Sequence, residues 1–130
     1  MSEIHLKRVY EEPTAADGRR VLVERLWPRG LSKDRAKVDV WLKAIAPSAE
    51  LRKWFDHDLE KWVEFCERYH SELEKNASAL EELERLIAEG DVTLVYAARD
   101  EQHNGALALK DFLDRRRGHS RRHASAQEAD

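Results

Sequence analysis

Sulfur and chain-breaking residues are scarce in this sequence, with one cysteine, one methionine, three prolines and five glycines, and each scarcity closes a class of protein. The lone Cys66 rules out an internal disulfide and any zinc site built from several cysteines, and it suits a reducing compartment. No apolar stretch reaches the length of a signal peptide or a membrane span, which predicts a soluble, cytoplasmic protein with no membrane partner. Neither GxGxxG nor GxxxxGK occurs, so there is no glycine-rich phosphate loop. Histidines and acids show no metal-ligand spacing and no legible triad, so the expectation includes neither a metal nor another cofactor. No repeat of solenoid period is visible.

What is abundant is charge, 38% of the residues, with a net charge of only -3. The balance is uneven along the chain. From Arg19 to Lys53 there are ten basic residues against Glu24, Asp34, Asp39 and Glu50, whereas acids dominate from Asp58 to Asp91. The acidic block reads as solvated helix faces. A chain of 130 residues fits one domain with one modest core.

Hydrophobic periodicity supplies the elements. "IHLKRVY" alternates and predicts a half-exposed first strand, and "RVLVERLW" a second, apolar on both faces around Val21, Leu22 and Val23. Between Leu31 and Pro47 the spacing of Val38, Trp41, Leu42 and Ile45 suggests a helical or irregular stretch. Ser48 is a candidate N-cap for "AELRKWF". A longer helix carries a stripe of Leu59, Trp62, Val63, Cys66, Tyr69 and Leu73, and another has Leu80, Leu83, Leu86 and Ile87 inside, with Gly90 as a left-handed cap. "VTLVYAA" has the continuous apolar character of a strand buried on both faces, followed by a helix with Ala106, Leu109, Phe112 and Leu113 inward. The expected fold is α/β, a single compact domain with a small mainly parallel sheet flanked by helices. Residues 1–114 form the expected domain, and 115–130 a basic, mobile tail.

In such folds ligands bind beyond the carboxyl ends of the strands, which directs attention to "ERLWPRG" and "YAARDEQHN". Arg29, between Pro28 and Gly30, is held so as to present a guanidinium fork to a carboxylate or phosphate, or else pairs with a surface acid. Arg25 faces either solvent or a polar site. Ser48 at a helix start, with Arg52 one turn on, makes a candidate anion cradle or a plain cap. His57 and Asp58 end that short helix, and His57 offers a proton carrier near neutral pH or a structural ring. Trp27, Trp41 and Trp54 lie beside basic residues and can floor a pocket or simply fill a small core. His103 and Asn104 open the last helix near Tyr96, with Asn104 equally suited to capping. Cys66 reads as a buried structural thiol.

The long stretches "RVLVERLWPRGLSK", "WLKAIAPSAELRKWFDHD", "WVEFCERYHSEL" and "VTLVYAARDEQHNGALALKDFL" resemble the YeaO-like family of small bacterial proteins, domain of unknown function family 488. The resemblance implies a compact α/β fold and no established activity. By match of motif, its polar signature falls on Arg25, Trp27, Pro28, Arg29, Gly30, Trp41, Lys43, Ser48, Arg52, Trp54, Phe55, His57, Asp58, His103 and Asn104. The expected function is an Arg/Trp/His pocket for a small phosphorylated or carboxylated ligand. A nucleotide-processing enzyme is one form of it, with His57, Asp58 and His103 as catalytic candidates. Arg25, Trp27, Arg29, Lys43, Ser48, Arg52, Trp54, Tyr96 and Asn104 would bind the ligand. The alternative is a non-enzymatic module for nucleic acid or protein, using the basic face and tail. Nothing in the sequence speaks to oligomeric state.

Overall fold

A computed structural model describes residues 3–129, with side chains described through residue 117. Four strands form one all-parallel sheet in the order β1-β4-β2-β3, where β1 is Ile4–Arg8, β2 Arg19–Leu22, β3 Val40–Trp41 and β4 Val92–Tyr96. The helices are α1 (Lys33–Ala36), α2 (Ala49–Phe55), α3 (Trp62–Glu74), α4 (Ala77–Glu89) and α5 (Gly105–Ala129). Among the described residues no helix is long and apolar enough to cross a membrane.

Strand alternation sorts the side chains into two cores. Ile4, Val21, Val23, Val92, Leu94 and Tyr96 face the larger one, packed by α2 to α5. Leu22, Val95 and Val9 face the smaller one, covered by Ala36 of α1 and by Trp27, Leu31, Val38 and Trp41. All five residues of β4 are buried, as expected of a central strand covered on both sides. Fully burying side chains of this size contributes about 1.5–3 kcal/mol each against exposure, so the two faces hold the sheet.

At the start of β2 the chain must turn tightly, and Gly18 makes that possible. Its φ is 63°, and a Cβ there would lie 2.3 Å from the Asp91 carbonyl oxygen. Beside it Arg20 is 2% exposed, donating to Asp17 Oδ2 at 2.8 Å, to the Ala36 carbonyl at 3.0 Å and to the Val9 carbonyl at 3.3 Å. Lys7 adds a second cation 3.1 Å from Asp17. Burial would raise the Asp17 carboxyl, but the Thr14 amide, Arg20, Lys7 and the Thr14 hydroxyl outweigh it and bring the pKa down to about 2.

Several expectations change. The stretch after Leu31 does hold short helical pieces, α1 and the turn Lys43–Ile45, but between them Val40 and Trp41 pair with Val21 and Leu22 as a two-residue edge strand, with Trp41 on one face of the sheet and Val40 and Leu42 on the other. The α3 stripe is Trp62, Phe65, Cys66, Tyr69 and Leu73. Phe65 points in and Val63 (70% exposed) points out, since a residue two positions from an inward one is rotated about 200° around the helix, while Leu59 (55%) precedes α3 in the turn Leu59–Lys61. Gly90 caps α4 at φ 158° and ψ -175°, a positive-φ conformation that favours glycine but lies outside the left-handed helical region. α5 runs on through Arg115 to Ala129, and the expected basic tail falls largely in 118–130, outside the residues whose side chains are described.

Candidate functional site

Because every strand runs the same way, their carboxyl ends meet on one edge. The segments leaving that edge enclose a cleft of about 560 Å³. Val23, Glu24 and Arg25 reach it directly from β2; Ala46, Pro47, Arg52, Lys53, Phe55, Asp56 and His57 come from α2 and its flanks. Phe65 of α3, then Ala98, His103, Asn104, Gly105 and Ala106 after β4, complete the lining.

Five of the anticipated residues therefore converge: Arg25, Arg52, His57, His103 and Asn104. Arg25 has one long contact, from Nη2 to the Pro47 carbonyl at 3.4 Å. Arg52 and His57 are exposed. The turn carrying His57 has two successive left-handed residues, Asp56 (φ 44°) and His57 (φ 57°), a conformation non-glycine residues adopt at a cost of order 1 kcal/mol or more. His103 is held on two sides. Its Nδ1 lies 3.0 Å from Asp100 Oδ2, and its ring meets Trp62 edge-on at 5.3 Å. The Gln102 amide, followed by the His103 ring and amide, holds the Asp100 carboxyl below its ordinary range.

Asn104, 5% exposed, is the N-cap of α5. Its Oδ1 accepts from the Leu107 amide at 2.8 Å, and its Nδ2 donates to the Asp100 carbonyl at 2.9 Å. The first residues of the helix, Gly105 and Ala106, also line the cleft. Amides at these positions have no acceptor within their own helix.

The other anticipated residues lie elsewhere, for identifiable reasons. Ser48 does cap α2, accepting from the Leu51 amide at 3.1 Å, but the anion at this helix start is the protein's own Glu72. Its carboxylate accepts from Ser48 Oγ at 2.6 Å and from the Ser48 amide at 2.9 Å. These residues belong to a shallower hollow of about 340 Å³. Asp58 caps the turn Leu59–Lys61 by accepting from the Glu60 amide. Trp27 donates to the Leu31 carbonyl at 2.6 Å and packs edge-on against Trp41, in the smaller core. Lys43 sits 4.0 Å from the Trp41 ring, and Trp54 lies under Arg68 at 4.2 Å and Lys61 at 5.1 Å. Tyr96 is 3% exposed in the larger core. Arg29 is exposed and outside the cleft lining, and its backbone carbonyl accepts from Tyr10.

"VERLWPRG" thus serves chiefly as a clasp. The Glu24 carboxylate accepts from the Ala97 amide at 2.8 Å, tying β2 to β4, while its carbonyl accepts from Trp41 at 2.7 Å, tying β2 to β3. Glu24, Lys53, Asp56 and Phe65 also line the cleft without belonging to the expected site, and Phe55, part of the family signature, lines it too. Lys53 and Asp56 stand next to Arg52 and His57, which is the signal that was there to use. Phe65 belongs to the stripe four residues before Tyr69. Among the described residues, no group of three His, Cys, Asp or Glu side chains converges as metal ligands would.

Fold and cleft together define a small all-parallel α/β domain whose polar loops gather at the carboxyl edge of the sheet. The chain belongs to the family of unknown function described as "Inactive DUF488-N3 subclade", whose model matches residues 3–129. It is 43% identical over 115 residues to an uncharacterised protein of Mycobacterium tuberculosis, covering 88% of this chain and 97% of that one. It is 40% identical over 110 residues to the uncharacterised protein YeaO of Escherichia coli, covering 85% and 96%. No solved structure matches it.

Proposed function

We propose that the carboxyl-edge cleft is a non-catalytic receptor for a small anion. The observation that carries this reading is the convergence of Arg25, Arg52, His57 and His103, from three separate segments of the chain, on one cleft. With Lys53 they make five groups that are or can become cationic, against Glu24 and Asp56, and the Glu24 carboxylate is already engaged by the Ala97 amide. Arg25, Arg52 and Lys53 form no ion pair among the described residues, so their charge is available to a ligand. The first turn of α5 adds amides and the positive end of a helix dipole.

A non-catalytic role fits the family's description as inactive. The chain's single thiol suits no nucleophile either: burial, then the Asp111 charge, pushes Cys66 up to about 11, leaving little thiolate at neutral pH. The test is thermal unfolding of the wild type and of Arg52→Ala with phosphate, sulfate, nucleotides and short oligonucleotides at two salt concentrations. A ligand at a hundredfold its Kd stabilises by about 2.7 kcal/mol, a shift of several degrees that Arg52→Ala should abolish. Stabilisation by oligonucleotides alone, falling steeply with salt, would replace this reading with a nucleic-acid-binding one.

A further inference from the structure

We infer that the ligand of this cleft is a small amphipathic anion, a carboxylate or phosphate head on a compact apolar body about the size of a phenyl ring. This rests on the anion-receptor reading and narrows it. Polarity in the cleft is sorted by depth. Arg25, Arg52, Lys53 and His57 are exposed at the rim, whereas Val23, Ala46, Phe55, Phe65 and Ala106 beneath them are buried. The Phe55 and Phe65 rings lie 4.5 Å apart, centroid to centroid, and form a continuous hydrocarbon surface.

The apolar floor argues the same way. A bare oxyanion has no apolar surface to lay on the Phe55 and Phe65 rings and would leave water standing against them. An apolar body displaces that water, and this is where affinity beyond the charge contact arises. A nucleotide fits less well, because base edges and ribose hydroxyls need partners at depth. The buried polar side chain there is Asn104, and both ends of its amide are committed, to Leu107 and to Asp100.

The experiment measures Kd by amide chemical-shift titration, following Gly105 and Ala106, with five probes. Acetate and inorganic phosphate are heads alone, phenylacetate and phenyl phosphate are head plus body, and phenylacetamide is the body without charge. The expected result is that phenylacetate or phenyl phosphate binds at least about tenfold tighter than its bare head and than phenylacetamide. Arg52→Ala, an exposed substitution that the fold tolerates, should remove most of the advantage over phenylacetamide and weaken the bare heads in parallel. Which of the two tighter probes leads identifies the head. Equal affinity for head alone and head plus body overturns this inference and leaves the anion receptor standing. Phenylacetamide binding as tightly as phenylacetate, or no probe perturbing Gly105 and Ala106, overturns both.

Discussion

The two ends of β2 carry the same residue type to opposite effect. At its start Arg20 is 2% exposed, and its guanidinium is consumed by Asp17, Ala36 and Val9. Just past its end Arg25 is exposed, with a single 3.4 Å contact to a carbonyl. A charge that is fully partnered inside the protein belongs to the fold, since removing one partner strands the other without solvent. A cation left without a carboxylate beside a cleft has charge to spend on something else. The difference lies in neighbours and not in the residue.

Arg20→Ala should break the comparison most severely. It leaves Asp17 buried with one cation fewer, and a loss of about 3–5 kcal/mol is expected in denaturant unfolding. Next is Gly18→Ala, which puts a methyl group against the Asp91 carbonyl at a positive φ. A loss of roughly 2 kcal/mol or more should appear in the same measurement.

Acid sharpens the contrast without mutation. The folded pKa of Asp17, about 2, lies below its ordinary 3.8, so its stabilising contribution is complete above about pH 5 and drains away as the pH falls toward 2. Unfolding followed between pH 5 and pH 2 should show roughly 1–2 kcal/mol from this group, absent in Asp17→Asn. The smallest effect on stability belongs to the cleft beyond the other end of the strand, where Arg52 of α2 shares the lining with Arg25. Arg52→Ala should change unfolding by no more than about 0.5 kcal/mol while removing the ligand-induced shift. A large destabilisation there would mean that Arg52, like Arg20, belongs to the fold.

Legibility followed the range of the interaction. Val92 to Tyr96 announced a strand covered on both sides, and Asn104 and Ser48 announced helix caps, because those signals are local periodicity and local hydrogen bonding. The short β3 is not legible in the sequence, because two residues carry almost no periodicity and the Val38 to Ile45 spacing also fits a helix. The anion cradle at Ser48 was recognisable as chemistry, but its occupant, Glu72, lies 24 residues away and arrives only when α3 packs beside α2. Arg29, framed by Pro28 and Gly30, looked more purposeful than Arg25, yet it is Arg25 that lines the cleft.

By itself, then, the sequence determined the types of the longer elements, the two-sided burial of the central strands and the supply of cations near the strand ends. Those follow from alternation, helical period and side-chain chemistry, each read within a few residues. Tertiary structure decided which cations are spent and which are left over. Strand order β1-β4-β2-β3 brings the loop after β2 beside the loop after β4, and the packing of α3 delivers Glu72 to one helix start while leaving the start of α5 in the cleft. Such pairings join residues far apart in the chain, and only the packed sheet and helices bring them within a hydrogen bond's length.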